Sequence, residues 1–304
     1  MGTVVTPLHA GQQATSTRTF TQSDFDRFAA LSGDDNPIHV DPAFSARTRF
    51  GRTVAHGMFL YSLVGSVLST RLPGPGVLQV EQELKFPTAT PAGEEVAVRV
   101  EVTDLEPATG LAVLNTVVLR PNGQPGLQGR TRVLLPTAAF PPPSAASGSQ
   151  SPDPESRLPD LRIPTPDASP FKGFELGQRA QAHHTFTTAD LAEYADLTGD
   201  TNPLFTDDDY TRARGLQGPV LPGALLGGLF SYLLGTELPG RGTNYLKQRL
   251  HFPSPAYVGQ PILASVEIVR IRSEKQLVNL NTVCADSAGH VVCHGEALVL
   301  VSDV

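Results

Sequence analysis

Residues 32–39 read Ser-Gly-Asp-Asp-Asn-Pro-Ile-His, and the same frame returns at 198–205 as Thr-Gly-Asp-Thr-Asn-Pro-Leu-Phe. The two stretches are separated by 202 − 36 = 166 positions, and the same offset relates Phe86-Pro87 to Phe252-Pro253. Chance does not hold one register along most of a chain, so the sequence contains an internal duplication. We expect the two copies to pack as an internal pseudo-dimer that imitates a twofold-symmetric homodimer.

The two copies differ where chemistry is concerned. The first offers a carboxylate at Asp34 and an imidazole at His39, whereas the second keeps Asp200 but has Phe205 in place of the histidine. A histidine can accept and donate protons near neutral pH, and phenylalanine cannot. The difference predicts one active site, in the first copy, and a second copy without catalytic activity.

Composition narrows the class of protein. A chain of 304 residues suggests about two domains. The net charge of −7 gives no electrostatic footprint for nucleic acid. The segments 54–70 and 220–235 are apolar but short and contain glycine, so they are interpreted as buried helices and no membrane partner is expected. The N-terminus has no signal-peptide pattern, and with two cysteines we expect a cytoplasmic location.

The domain boundaries follow from the repeat and from a change in composition. Residues 136–170 contain Pro141-Pro142-Pro143 and a Ser-rich run, which cannot bury enough apolar surface to offset the entropy of ordering. We therefore expect a catalytic N-terminal unit over 1–135, a Pro/Ser-rich linker over 136–170, and a degenerate, non-catalytic unit over 171–304.

Periodicity predicts the structure of one unit. Thr21 to Asp24 resembles a capping box that begins a short helix, and Gly33 ends it. Residues 54–70 are apolar nearly all round, which is typical of a deeply buried helix. Alternating patterns predict the β-strands, and together these elements indicate an α+β fold in which a mostly antiparallel sheet wraps one long helix. The predicted strands lie near 14–20, 77–86, 94–105, 111–120 and 127–135.

The stretch from Phe28 to His39, followed by His56-Gly-Met58 at the start of an apolar helix, resembles the MaoC-like hydratases of the hotdog fold. Within these it is most similar to the R-specific enoyl-CoA hydratases. The similarity covers about 20–135 and, in weaker form, 186–301. It implies a tandem (double) hotdog fold whose two sheets join, and an acyl thioester substrate on coenzyme A or on an acyl carrier.

The residues themselves suit the addition of water to an α,β-unsaturated thioester. Asp34 and His39 can hold one water between them, and the histidine can move its proton. A helix N-terminus at Gly57 can stabilise the oxyanion through a free N–H group. The resemblance assigns Asp34 and His39 as the catalytic pair, Gly57 as the oxyanion donor and Ser62 as a serine near the site.

Contacts to the substrate are less determined by the sequence. Asn36, which orders the catalytic loop, and Met58 are assigned to substrate binding, together with the basic residues Arg47 and Arg52 that precede the helix. The nearby Arg49, and the strand residues Lys85, Lys247 and Arg249, are alternatives for the coenzyme A phosphates. No spacing matches a zinc pattern, so neither a metal nor a cofactor is expected. Cys284 and Cys293 are interpreted as free thiols.

The predicted function is therefore that of a hydro-lyase, which reversibly hydrates a trans-2-enoyl-CoA to the (R)-3-hydroxyacyl-CoA. One alternative is a related dehydratase for a branched or dicarboxylic acyl thioester, and another is a non-catalytic acyl-thioester-binding protein. The full apolar stretch at 220–235 favours short or medium acyl chains, whereas Gly227 and Gly228, in place of Tyr61 and Ser62, favour longer ones. Further homo-oligomerisation stays open.

Overall fold

The computed structural model describes residues 7–138 and 171–301, so most of the predicted linker lies outside the described residues. The first copy contains one strand, four helices and four further strands. In chain order they are β1 (Gln13–Thr19), α1 (Gln22–Ser32), α2 (Pro37–Val40), α3 (Pro42–Ser45), α4 (Gly57–Thr70), β2 (Leu78–Lys85), β3 (Glu95–Glu106), β4 (Leu111–Leu119) and β5 (Pro125–Leu134).

The second copy repeats this order. It comprises β6 (Arg179–Thr185), α5 (Thr188–Thr198), α6 (Pro203–Thr206), α7 (Asp208–Ala213), α8 (Gly223–Tyr232), β7 (Asn244–His251), β8 (Pro261–Arg272), β9 (Leu277–Asp286) and β10 (Val291–Leu300). Two short turns are added: α8 continues into a π-helical turn over Leu233–Glu237, and a 3₁₀ turn over Ser273–Lys275 joins β8 to β9.

Local sequence explains how the first helix of each copy begins and ends. The Thr21 hydroxyl accepts from the Asp24 N–H while the Asp24 carboxylate accepts from the Thr21 N–H, which confirms the predicted capping box. Thr187 and Asp190 repeat the arrangement in the second copy. Gly33 then ends α1 in the left-handed region, with φ of 80°, which glycine adopts without a steric penalty.

The segment before the central helix is more ordered than its sequence suggests. It contains α2 and α3, each with a proline as its first residue, a position where proline's fixed φ favours a helix and its missing N–H is not needed. The central helix α4 begins at Gly57, three residues later than predicted. Val54 instead forms an isolated β-bridge with Pro91, so the backbone there is still extended.

All strands join in one ten-stranded antiparallel sheet, in the order β1-β3-β4-β5-β2-β7-β10-β9-β8-β6. The two copies meet where β2 pairs with β7, with Glu83 opposite Arg249. Since 249 − 83 = 166, the pseudo-twofold axis passes through this pair. The predicted α+β architecture, a double hotdog with joined sheets and an internal pseudo-dimer, is confirmed.

The two central helices pack against each other on the inner face of the sheet. Glycines on α8 allow the close approach: a Cβ on Gly227 would lie 2.6 Å from the Met58 Sδ, and a Cβ on Gly223 would lie 2.9 Å from the Tyr61 hydroxyl oxygen. Most buried apolar residues of both copies therefore form one continuous core, beside a small separate cluster of Leu204, Leu216 and Val220. Within the described ranges, no helix has the length and apolar character needed to cross a membrane.

Both cysteines are buried free thiols, as predicted. Cys284 lies opposite Cys293 in the β9–β10 pairing. Burial raises the pKa of both thiols, so they stay protonated at neutral pH.

A buried carboxyl group connects the copies near the loop that corresponds, in the second copy, to residues 34–39. Asp200 is 2% exposed and accepts a hydrogen bond from the Ser69 hydroxyl of α4. Burial raises the pKa of Asp200 from 3.8 to about 6, against the opposing effect of its hydrogen bonds. The folded protein thus binds this proton more tightly than the unfolded chain does, and Asp200 lowers stability as the pH rises from 3.8 to about 6.

Replacing Asp200 with asparagine removes this penalty while leaving an oxygen for the Ser69 hydroxyl. We compare the unfolding free energy of Asp200→Asn with that of the wild type. We expect this difference to shift in favour of the variant by about 2 kcal/mol when the pH is raised from 4 to 7. Urea unfolding at the two pH values measures this difference. Asp209→Asn, at an exposed carboxyl group, is the control and should follow the wild type. If the difference in unfolding free energy between Asp200→Asn and the wild type is the same at pH 4 and pH 7, Asp200 does not titrate between them.

Candidate active site

The catalytic loop directly follows α1 and is shaped by three consecutive devices. Gly33 turns the chain, the Asn36 side chain accepts from the Ile38 N–H, and Pro37 begins α2. As a result an Asp34 carboxylate oxygen and a His39 nitrogen lie within 4.8 Å of each other. The pair that the sequence predicted is brought together at one place.

The pair lies in the wall of a cavity of 310 Å³ that is built by both copies. Asp34, Asn36, His39 and Gly57 contribute from the first copy. The second copy contributes the end of α8, its π-helical turn and the start of β7. Together with Leu300 at the end of β10, these residues are Ser231, Leu234, Gly235, Thr243, Asn244, Tyr245 and Leu246. A single copy would therefore leave the site incomplete.

His39 is oriented by its backbone contact. Its Nδ1 lies 2.7 Å from the Val54 carbonyl oxygen, so Nδ1–H donates and Nε2 is left as the basic nitrogen. The side chain is 8% exposed, and burial lowers its pKa, although the Asp34 charge and the Val54 contact oppose that effect. His39 is accordingly neutral at neutral pH, which is the form that accepts a proton.

Asp34 is 1% exposed and depends on two donors. The Ser231 hydroxyl donates to Oδ2 at 2.6 Å, and the Asn36 N–H donates to Oδ1 at 3.3 Å. Burial raises the pKa of Asp34, while the nearby His39 and the Ser231 hydrogen bond lower it. These contacts favour the ionised carboxylate in a place from which water is largely excluded.

Ser231 is a partner of Asp34 and a cavity-lining residue that the sequence reasoning missed. It belongs to α8 of the second copy, and its counterpart at the 166-residue offset is Gly65, which carries no hydroxyl. One sequence signal could have pointed to this contact. Ser69 in the first copy also corresponds, at the offset of 166, to a glycine, Gly235. In both copies a serine lies four positions from a glycine on the central helix, which hints that the hydroxyls serve sites in opposite copies.

Gly57 lies at the N-terminus of α4, where the first N–H groups of a helix have no intrahelical acceptor. It lines the cavity. A Cβ at this position would lie 2.8 Å from the Phe86 ring, so the packing of that ring requires glycine here. Its role as oxyanion donor remains a prediction that this position supports.

Other predicted site residues lie elsewhere. Ser62 is buried and donates to the Phe59 carbonyl oxygen at 2.7 Å, and it does not line the cavity. Met58 packs against Gly227 in the interface between the central helices. Neither side chain lines the cavity, so the roles assigned to Ser62 and Met58 stay predictions.

The basic loop residues divide in a similar way. Arg49 lines the cavity, and its guanidinium lies 4.9 Å from the centre of the Phe50 ring. Arg47 and Arg52 are exposed and do not line it, and Arg52 donates to the Ala92 carbonyl oxygen at 3.3 Å. Substrate contacts by Arg47 and Arg52 therefore stay predictions.

His56 contacts both Asp34 and His39. It is fully buried, its Nε2–H donates to the Asp34 carbonyl oxygen at 2.9 Å, and its ring stacks on that of His39 with the centres 3.8 Å apart. Phe28 packs beside it, with ring centres 5.1 Å apart. Burial lowers the pKa of His56 well below its usual value, so it stays neutral. It holds both Asp34 and His39 in place.

Asp34, His39 and His56 are close enough to be considered as metal ligands. However, the interplanar angle of the two stacked imidazoles is only 28°. Nitrogen lone pairs lie in the ring plane, so nearly parallel rings do not direct them at one ion. The arrangement favours acid–base chemistry over metal coordination.

The corresponding place in the second copy is closed. The Asn202 side chain accepts from the Gly76 N–H at 3.1 Å and donates to the Val77 carbonyl oxygen at 2.8 Å. Tyr210 packs directly against Gly76, and Phe205 is partly buried against the core. With no histidine in the loop and this packing around it, the second copy lacks the acid–base pair of the first.

Comparison with known proteins gives a consistent result. The family described as "MaoC like domain" matches residues 4–118 and 174–287. An (R)-specific enoyl-CoA hydratase of Aeromonas caviae is 40% identical over 128 residues, which are 42% of this chain and 96% of the relative. A mitochondrial 3-hydroxyacyl-[acyl-carrier-protein] dehydratase of Solanum lycopersicum is 33% identical over 129 residues, 42% of this chain and 77% of the relative.

Among solved structures, a conserved hypothetical protein of Mycobacterium tuberculosis, described as having a double hotdog fold, superposes with a TM-score of 0.71. The alignment covers 98% of this chain and 100% of the other, at 17% identity. At this identity the likeness concerns the fold alone, and it agrees with the architecture described above.

Removing the Ser231 hydroxyl should lower activity while leaving the Asp34 and His39 side chains in place. We expect Ser231→Ala to lower kcat/KM of the hydratase reaction about 10- to 100-fold, because a hydrogen bond to a buried charge contributes about 1.5–3 kcal/mol. Losing the bond also raises the pKa of Asp34, so the acid limb of the pH profile should move to higher pH. Steady-state kinetics over a pH series measures both effects.

Ser69→Ala is the matched control, because it removes the equivalent hydroxyl from the non-catalytic side. It should retain the wild-type kcat/KM and pH profile. Equal losses in the two variants would mean that Ser231 acts only through the packing of the helices.

Proposed function

We propose, because this chain belongs to the MaoC-like domain family and is a lyase-type enzyme, that it reversibly hydrates trans-2-enoyl-CoA to (R)-3-hydroxyacyl-CoA. The observation that carries the proposal is the Asp34–His39 pair at one cavity, with Nδ1–H of His39 held by Val54 and its Nε2 left basic. The names of the relatives from Aeromonas caviae and Solanum lycopersicum support the reaction class.

The chemistry follows from the placement of these groups. A water held between Asp34 and His39 loses a proton to the His39 Nε2 as its oxygen adds to the β-carbon. The Asp34 carboxylate orients the water and stabilises the imidazolium that forms. Negative charge develops on the thioester oxygen, where the N–H of Gly57 can stabilise it. The His39 imidazolium then returns its proton to the α-carbon, which completes the addition and restores the neutral imidazole, and dehydration is the reverse. We propose no metal or other cofactor.

The second copy acts as a structural partner in this proposal. It supplies Ser231 to Asp34 and half of the cavity wall, and it has Phe205 where the general base would be. The free, buried thiols of Cys284 and Cys293 suit a reducing compartment, so we also propose a cytoplasmic location.

The reaction is tested with crotonyl-CoA. We expect the wild type to consume the enoyl-thioester absorbance and to give the (R) product, and we expect Asp34→Asn and His39→Gln each to lose about 10²–10⁴-fold in kcat. Chiral analysis of the product and circular dichroism of each variant accompany the assay. Asp200→Asn, the same change in the second copy, is the control and should keep full activity.

Undiminished activity in both first-copy variants would place the chemistry elsewhere. Folded wild-type protein that leaves crotonyl-CoA unchanged would favour a different acyl group or a non-catalytic thioester-binding protein. Titration with crotonyl-CoA in an isothermal calorimeter would then separate these two possibilities. Binding without turnover would favour the thioester-binding protein, and no binding would favour a different acyl group.

The size of the cavity supports short acyl chains. Its volume of 310 Å³ is at the small end of ligand sites, for which about 300–1,000 Å³ is usual, and it must also admit the thioester. Leu234 in the π-helical turn and Tyr245 in β7 form part of its wall. The full apolar stretch that the sequence shows over 220–235 is thus used to close the acyl end.

Shortening Leu234 should enlarge that end. We expect Leu234→Ala to raise the ratio of kcat/KM for octenoyl-CoA over crotonyl-CoA at least about tenfold, because a buried methylene group contributes about 0.8 kcal/mol to binding of an apolar chain. Leu68→Ala, the equivalent core truncation in α4, is the control. It should lower stability by a similar amount without changing the ratio. An unchanged ratio in Leu234→Ala would mean that the acyl chain extends in another direction.

A further inference from the structure

The outer face of the sheet carries a second concavity beside the junction of the copies. This groove, of 420 Å³, is formed by β2, β3, β4 and β5. Lys85, Arg99 and Arg130 line it, and Lys247 lies opposite Lys85 on the adjacent strand β7. These four exposed cations are referred to below as the seam cluster.

The seam cluster is not neutralised by its surroundings. Within the described parts of the chain, none of its four members forms an ion pair. Two carboxylates line the groove: Glu83, which pairs with Arg249 at 3.2 Å, and Glu101. A positive local field thus forms on a chain whose net charge is −7.

The lysine pair is also unfavourable for the fold itself. Lys85 and Lys247 are directly opposite in an antiparallel pairing, where like charges destabilise a sheet. The other outward pairs of the same junction combine an acidic with a basic side chain, Glu83 with Arg249 and Glu81 with His251. Stability therefore gives no reason for the two lysines to be neighbours.

The internal duplication provides a comparison within the molecule. At the offset of 166, Lys85 corresponds to His251 and Lys247 to Glu81, at the opposite end of the same junction. Arg99 corresponds to Ser265 and Arg130 to Glu296. The cluster is therefore present only at the end of the junction that adjoins the intact catalytic pair. At the end that adjoins the closed second site, every one of the four cations is replaced.

The cluster is close to the catalytic cavity along the chain. Phe86 and Leu246, the neighbours of Lys85 and Lys247, line the cavity, and the Phe86 N–H donates to the Leu246 carbonyl oxygen at 2.9 Å. Successive strand residues point to opposite faces, so the lysines face outward where these two face inward. In β5, Gly126 lines the cavity and Gln128 lines the groove, because a register shift at Gly126 interrupts the regular alternation.

We propose that the seam cluster binds the phosphate groups of the coenzyme A portion of the substrate. The inference rests on the proposed function and adds the recognition site of the carrier. The pantetheine arm would run from the cavity past the end of β2 and place the nucleotide end in the groove. Arginine and lysine are the side chains that bind phosphate, and a groove of this volume suits a nucleotide.

The test exchanges the lysine pair for the pair that the fold already contains at its other end. The double variant Lys85→His with Lys247→Glu should raise KM for crotonyl-CoA at least about tenfold, equivalent to about 1.4 kcal/mol, with kcat within about twofold. Hydration of crotonyl-pantetheine, which has no phosphate, should be unchanged. The dependence of kcat/KM for crotonyl-CoA on salt should become weaker.

A matched control makes the same change of charge far from the groove. Arg270→His with Lys275→Glu alters two exposed residues around the β8–β9 connection and should leave KM for crotonyl-CoA unchanged. Equal increases in KM in the two double variants would reduce the effect to net charge and overturn the assignment.

Calorimetric binding of free coenzyme A separates this inference from the proposed reaction. Weaker binding in the Lys85/Lys247 variant than in the wild type supports the site even if crotonyl-CoA is not turned over. Unchanged binding overturns it, whatever the activity. Crotonyl-acyl-carrier protein is the third substrate. If it alone is turned over efficiently and it alone loses affinity in the variant, the cluster serves a protein carrier and the coenzyme A assignment is wrong.

Discussion

The structure depends on holding one carboxyl group where water can scarcely reach it. Asp34 is 1% exposed, and a charge in such a place is very unfavourable unless donors compensate it. The Asn36 N–H comes from its own loop, but the Ser231 hydroxyl comes from the central helix of the other copy. The site can therefore exist only when both copies are packed together. This requirement explains why a copy without a general base still belongs to the active site.

The same contact is made in reverse on the other side of the pseudo-twofold axis. Asp200 accepts from Ser69 of α4, as Asp34 accepts from Ser231 of α8. Each aspartate also faces a glycine four positions from its serine: a Cβ on Gly235 would lie 2.9 Å from Asp34, and one on Gly65 would lie 3.1 Å from Asp200. Each central helical segment thus provides one hydroxyl group that binds the opposite aspartate and one glycine that leaves room for it. The second copy has lost its histidine while keeping the interaction that holds the copies together.

The sequence was sufficient for most of what repeats locally, although it missed the short helices α2 and α3. The offset of 166 identified the copies, alternation and capping patterns located the strands and first helices, and the loop motif identified Asp34 and His39. It failed for Ser231 because that contact joins positions 197 residues apart, and no local pattern states how two helices are rotated against each other. For the same reason the sequence could not show that Ser62 donates to the Phe59 carbonyl oxygen and does not line the cavity. In the basic loop, spacing could not distinguish Arg49, which lines the cavity, from its neighbours.

The asymmetry between the copies extends well beyond the missing histidine. Around the second loop, the Asn202 side chain bridges to Gly76 and Val77, and Tyr210 packs against Gly76. On the outer face, the cations beside the open site give way to His251 and Glu81 beside the closed one. A substrate that only entered the cavity would impose no such difference on the far side of the sheet. The distribution of charge therefore points to a ligand that is longer than the cavity and anionic at the end that remains outside it.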